Sequence, residues 1–105
     1  MAKFAFIYRG GQPFRTPEDG RAHMERWHAW RDGLGEAYVC PGMPFSAAVT
    51  VTASGTREGS GEVPLSGVSI VEAASLEAAQ EMARACPHLG IGGDIIVAQG
   101  MDMEM

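Results

Sequence analysis

The sequence predicts a single α+β domain in which strands and helices follow the order β-α-β-β-α-β. The chain has 105 residues, a length that fits one domain over residues 1–105 and leaves no room for a second core. Segments with two-residue apolar alternation flank two segments with helical spacing. Each helical segment also begins at a Thr or Ser of the kind that caps helices. In this order, four strands form an antiparallel sheet with both helices on one face.

The first two predicted elements are a strand and a long helix. Apolar residues alternate on both faces over residues 3–9, as in a strand. Thr16 can cap a helix and Pro17 suits the first helical position, so a helix is predicted from Pro17 to about Gly33 or Gly35. The residues at i, i+4, i+7 and i+11 form its predicted buried stripe, which consists of His23, Trp27, Trp30 and Leu34.

The middle of the chain predicts two strands joined by a long connection. Residues 36–45 contain two prolines and a glycine, which predict a shaped loop or the bulged start of a strand. Strict alternation over residues 47–54 predicts the second strand. Residues 55–65 combine Gly, Pro and charges without a period, which predicts a flexible connection or flap. Residues 66–72 predict the third strand.

The last predicted elements are a helix and a strand. Ser75 can cap a helix that Pro87 ends, and residues 94–99 alternate as in a fourth strand. The resulting order is that of the split βαβ, or ferredoxin-like, fold: a four-stranded antiparallel sheet with two helices on one face. Because the strands carry apolar residues on both sides and the helices cover one, we expect a homodimer with sheet facing sheet, a dimeric α+β barrel.

Charge and composition exclude several classes of function. Thirteen acidic and eight basic residues give a net charge of −5, which predicts no nucleic-acid partner and no anionic membrane surface. No apolar run approaches the length of a membrane span, and the first residues are not typical of a signal peptide, so the predicted location is cytoplasmic. Cys40 and Cys86 are expected to be reduced thiols. No metal-ligand spacing or cofactor motif is present, so neither a metal nor a cofactor is predicted.

Three segments carry a family resemblance: FAFIYRGG near the start, WHAWRDGLGEAYVCPGMPF in the middle, and SGVSIVEAASLEAAQEMARACPHL followed by GGDIIV. Together they cover nearly the whole chain and resemble the YCII-related domain family, small bacterial proteins with a dimeric α/β-barrel form of the ferredoxin-like fold. The resemblance implies a cleft between the first helix, the loop after it and the sheet. Some enzymatic relatives resemble small dehydratases or dehydrochlorinases with a His-Asp pair, which implies His23 and Asp32 here. On a regular helix these two residues lie on opposite stripes.

Three histidines and a group of large apolar residues are the candidates for a site. Buried His23 would have a lowered pKa and could act as a general base, or it could be a hydrogen-bonded core histidine. His88 could project over the strand ends or interact with the helix dipole. His28 and Asp32 could form a base with its orienting carboxylate, or a solvated surface pair. A further group could line an apolar pocket or pack in the core: Tyr8, Trp27, Trp30, Met43 and Phe45.

Three functional hypotheses follow. The first is a cofactor-free lyase or isomerase acting on a small molecule, with His23 as the base and Asp32 or His88 as the second group. The second is a non-catalytic dimeric module that binds a metabolite or assists another protein, with residues 55–65 closing over the ligand. The third is a structural dimer that packs against another protein. A polar pair within hydrogen-bond reach inside one cavity separates the first hypothesis from the second.

Overall fold

A computed structural model describes residues 1–103. Within these residues the fold is α+β, with two α-helices, a four-stranded antiparallel sheet and a separate two-stranded sheet. The elements in chain order are β1 (Ala2–Gly10), α1 (Pro17–Leu34), β2 (Tyr38–Pro44), β3 (Val49–Thr52), β4 (Gly55–Glu58), β5 (Leu65–Ala73), α2 (Leu76–Arg84) and β6 (Gly93–Gln99). Short 3-10 turns at Gly35–Ala37 and Pro87–Ile91 follow the two helices.

The main sheet has the strand order β2-β5-β1-β6, and every neighbouring pair is antiparallel. Alternate residues of β1 are fully buried, namely Phe4, Phe6 and Tyr8. They form one core with Trp30 of α1 and with small residues of α2. Because these core residues come from both helices and from one face of the strands, both helices pack against that face.

The predicted helix starts are confirmed, and the capping side chains explain them. The Thr16 hydroxyl accepts a hydrogen bond from the Asp19 backbone N–H at 3.1 Å, which satisfies a free N–H group of the first turn of α1. Ser75 does the same for Ala78 at 3.1 Å at the start of α2. Helix α1 ends at Gly35, whose φ of 57° lies in the left-handed region that favours glycine.

The prediction for the second strand of the main sheet was wrong. Residues 49–52 are a strand, but β3 pairs with β4 in a separate hairpin. The position beside β5 belongs to β2, in the segment predicted as a loop or a bulged start of a strand. Alternation indicates an extended backbone without naming its partner, and prolines are tolerated at a sheet edge. Gly42 lies against β5 so closely that a Cβ there would stand 1.8 Å from the Val68 carbonyl oxygen.

The sheet face away from the helices is apolar, and we call it the open face. In the middle of the sheet, Ile7 lies opposite Val68 on one side and Ile96 on the other. In the next row Ala5 lies opposite Ile70 and Ala98. These side chains are only partly buried within residues 1–103, and Ile96 is 41% exposed.

The hairpin formed by β3 and β4 is a separate two-stranded sheet with exposed side chains. Val49 and Val51 are 66% and 73% exposed. The segment predicted as a flexible connection therefore begins with the regular strand β4. Neither helix in the described part of the chain combines the length and the apolar character needed to cross a membrane.

Candidate functional site

A cavity of about 720 Å³ opens between α1, β2 and the helix-facing side of β1 and β5. This volume is in the range of small-molecule sites. Four residues of the predicted pocket group line it: Tyr8, Trp27, Met43 and Phe45. Phe14 and Met24, which the sequence did not single out, also line the cavity, and both are nearly half exposed at its rim.

Trp30, the fifth member of the predicted pocket group, lies in the core and does not line the cavity. Its ring stacks near Phe6 at a centroid distance of 6.3 Å. Its indole N–H donates to the Met82 carbonyl at 2.9 Å, so the buried donor is satisfied within the fold. Of the two tryptophans, only Trp27 faces a place where a ligand could bind.

His23 projects from α1 into the cavity wall and is 6% exposed. Its ring packs between Phe14 and Trp27, with centroid distances of 5.0 Å and 6.1 Å. Burial lowers the pKa of His23 below its usual value, and the positive charge of Arg26 and the nearby His88 lower this pKa further. Both effects favour the neutral form of the imidazole. Its Nδ1 atom is buried without a hydrogen-bond partner among residues 1–103.

Asp32, which the resemblance pairs with His23, lies outside the cavity lining. Nine residues correspond to two and a half helical turns, so the two side chains leave α1 on opposite sides. The Asp32 carboxylate is exposed and accepts a hydrogen bond from Arg31 at 3.2 Å. His28 does line the cavity, at an exposed position. The structure therefore gives neither His23 nor His28 an orienting carboxylate from Asp32.

His88 reaches the cavity from the 3-10 turn before β6 and is 5% exposed. Its Nε2 atom lies 2.8 Å from the Arg9 carbonyl oxygen. A carbonyl oxygen only accepts hydrogen bonds, so Nε2 carries the proton, and in the neutral ring Nδ1 holds the lone pair. The ring packs edge to face against Tyr8 at 5.5 Å and lies directly over Gly93. The backbone thus fixes both the tautomer and the orientation of this imidazole.

Three hydroxyl groups meet in the cavity wall, and we call Tyr8, Tyr38 and Ser69 the hydroxyl trio. Tyr38 donates to the Ser69 oxygen at 3.1 Å, and the Tyr8 and Ser69 oxygens are 2.6 Å apart. Three protons serve only two hydrogen bonds, so one proton remains on Tyr8 or Ser69. Both residues are buried, and an unsatisfied buried donor costs about 1–3 kcal/mol. The trio therefore offers a hydrogen bond to a ligand or a water molecule.

The sequence patterns did not single out the hydroxyl trio. Ser69 is one of the alternate residues of β5 that face the core. A polar residue in this otherwise apolar alternation was the only feature of the sequence that could have pointed to it. Tyr38 belongs to β2, which the sequence analysis did not place in the sheet. Burial raises the pKa of Tyr8, so its hydroxyl keeps its proton at neutral pH.

The charges around the cavity are unequal. Arg31 lines it, together with the three histidines, whereas no Asp or Glu of residues 1–103 does. The same part of the chain contains no group of three or more His, Cys, Asp or Glu side chains arranged to hold a metal ion. The cavity can thus supply imidazoles, a hydroxyl donor and one guanidinium to a ligand with a large apolar surface.

Comparison with models of known protein families gave no match for this chain. A search of curated proteins also gave no match.

Proposed function

We propose that the protein binds a small molecule in this cavity and catalyses a proton transfer on it, as a cofactor-free lyase or isomerase. One observation carries the proposal: two nearly buried imidazoles, His23 and His88, line the same apolar cavity. A neutral imidazole in such a place is suited to general acid-base chemistry near pH 7. The nearby His88 contributes to the lowered pKa of His23, after burial and Arg26.

In this proposal His88 is the base. Its Nε2 proton is held by the Arg9 carbonyl, so Nδ1 is the atom that accepts a proton from the substrate. His23 is the second proton-transfer group. The hydroxyl trio donates a hydrogen bond to the substrate oxygen on which negative charge develops. This assignment replaces the His23 and Asp32 pair, because Asp32 lies outside the cavity.

The proposal includes a cytoplasmic homodimer with the ferredoxin-like fold, as a member of the YCII-related family. The strand order β2-β5-β1-β6 and the position of both helices on one face support the fold. The open face, with Ile7 and Val68 at its centre, supports a second copy of the chain as its cover. Light scattering at micromolar concentration should give twice the chain mass, and Ile7→Lys should give the monomer mass. A wild-type monomer would contradict the dimer.

A non-catalytic binding module is the second candidate. It is favoured by the absence of any Asp or Glu from the cavity lining in residues 1–103, because catalytic histidines are commonly oriented by a carboxylate. In that case the two imidazoles serve as hydrogen-bond partners for a ligand that leaves unchanged.

Kemp elimination of 5-nitrobenzisoxazole separates the two candidates without knowledge of the natural substrate. A base removes the proton from the ring carbon next to nitrogen, the electron pair forms the nitrile, and the N–O bond breaks to give a coloured phenolate. Quenching of Trp27 fluorescence reports binding of the probe. The enzyme proposal expects the absorbance to rise faster than with an equal concentration of free imidazole.

Variants assign the activity to the base. His88→Gln keeps an N–H for the Arg9 carbonyl but removes the basic nitrogen, so the rate should fall to background. Glu77→Gln, on the exposed first turn of α2, is the matched control and should keep the full rate. A bound probe with no acceleration would favour the binding module. A loss of activity in Asp32→Asn with no loss in His88→Gln would instead support the pair that the resemblance implies.

A further inference from the structure

We propose that the ligand of this cavity is a planar carboxylate that carries a second oxygen, such as a hydroxy- or oxo-substituted aromatic acid. This inference rests on the proposed binding of a small molecule in the cavity. It follows from three features of the cavity lining: the Arg31 guanidinium, the flat aromatic side chains, and the hydroxyl proton of the trio that has no acceptor.

The carboxylate follows from the charges at the rim. The chain is acidic overall, yet the described part of it contributes no Asp or Glu to the cavity lining. Arg31 is the only Arg or Lys among the lining residues in this part, and its side chain is 42% exposed. Its partner Asp32 is more exposed still, at 71%. An exposed pair of this kind is weak, so the guanidinium can bind a ligand carboxylate through its free N–H groups.

The second oxygen follows from the hydroxyl trio, which is buried in the cavity wall. One proton on Tyr8 or Ser69 has no acceptor among residues 1–103, and these residues are 4% and 1% exposed. The Arg31 side chain, by contrast, is 42% exposed. A ligand that satisfies both groups therefore carries its anion toward the solvent and an acceptor oxygen toward the trio.

The planar body follows from the aromatic side chains that line the cavity. Tyr8 and Trp27 meet edge to face at a centroid distance of 5.1 Å. Phe14 and His23 continue this aromatic wall, tilted at 5.0 Å. Flat rings offer a flat ligand extensive contact with little loss of side-chain freedom.

Three matched probes test the inference: 4-hydroxybenzoate, benzoate, which lacks the far oxygen, and 4-hydroxybenzamide, which lacks the charge. Their dissociation constants are measured by tryptophan fluorescence and by calorimetry. We expect 4-hydroxybenzoate to bind at least about fivefold more tightly than either other probe, as charge-assisted and buried hydrogen bonds imply. Arg31→Gln should remove the preference for the carboxylate over the amide. Arg57→Gln, on the exposed hairpin, is the charge-matched control and should retain it.

Each contrary result would overturn one part of this inference. Equal binding of 4-hydroxybenzamide and 4-hydroxybenzoate would overturn the carboxylate, and equal binding of benzoate would overturn the second oxygen. In both cases binding in the cavity itself would still stand. If none of the three probes bound to the wild-type protein at millimolar concentration, this inference would fail, whereas binding and turnover of 5-nitrobenzisoxazole would still decide the small-molecule function proposed above.

Discussion

Replacement of Gly93 by alanine should destabilise the protein through His88. A Cβ at this position would lie 2.1 Å from the imidazole Nε2 atom, whereas non-bonded heavy atoms normally stay about 3.5 Å apart or more. The ring must therefore move by more than about 1 Å, which breaks its 2.8 Å hydrogen bond to the Arg9 carbonyl. The lost hydrogen bond costs about 1–3 kcal/mol and the overpacking a similar amount. A gain of about 0.4–1 kcal/mol from the less flexible unfolded chain offsets part of this.

The expected net loss in the free energy of unfolding is about 2–4 kcal/mol, measured by urea denaturation with an unchanged m value. Gly33→Ala is the matched control. A Cβ at Gly33 has open space around it, so alanine near the end of α1 should stabilise the protein by about 0.5–1 kcal/mol. In a His88→Ala background most of the loss from Gly93→Ala should disappear. A loss below 1 kcal/mol, or an equal loss in both backgrounds, would refute the close packing of His88 on Gly93.

Three further predictions follow from burial. The pKa of His23 is lower in the folded than in the unfolded protein. The free energy of unfolding should therefore be constant above the unfolded pKa of about 6.5 and should fall as the pH decreases through the folded pKa. When this profile is measured by denaturation, His23→Gln should flatten the part that falls. Ser69→Ala should lower the unfolding free energy by about 1–3 kcal/mol, because it leaves a buried tyrosine hydroxyl without its partner, and exposed Ser46→Ala should change it little. At pH 8 a thiol reagent should label the exposed Cys40 quickly and the buried Cys86 only after unfolding, because burial raises the pKa of Cys86 to about 11. Rapid labelling of both thiols in the folded protein would contradict the core position of Cys86.

The sequence predicted the elements whose signals are local. Thr16 and Pro17 start α1 as expected, because capping depends on hydrogen bonds within one helical turn. The edge strand β2 depends on a distant partner: Met43 lies opposite Val68 on β5. Its prolines and Gly42 suggest a loop when only neighbouring residues are considered. Contacts with distant parts of the chain therefore decide whether residues 38–44 or residues 47–54 form the edge strand.

The candidate site shows the same division. His23 and Trp27 were predicted to share one stripe of α1, and both line the cavity. Helical spacing does not distinguish a side chain that faces the cavity from one that faces the core, so Trp30 was assigned to both possibilities. The contact between His88 and the Arg9 carbonyl joins residues far apart in the chain, and no local pattern encodes it.

The central position of β1 has a consequence for biosynthesis. During translation this strand is made well before both of its partners: Phe4 lies opposite Val71 on one side and Gln99 on the other. Until β5 emerges, a segment with Phe4, Phe6 and Tyr8 has neither a strand partner nor most of its core. Such non-local pairing slows folding and leaves an apolar strand exposed to aggregation. Chaperone dependence in the cell should therefore be governed by β1, although this strand lies inside the main sheet of the finished protein.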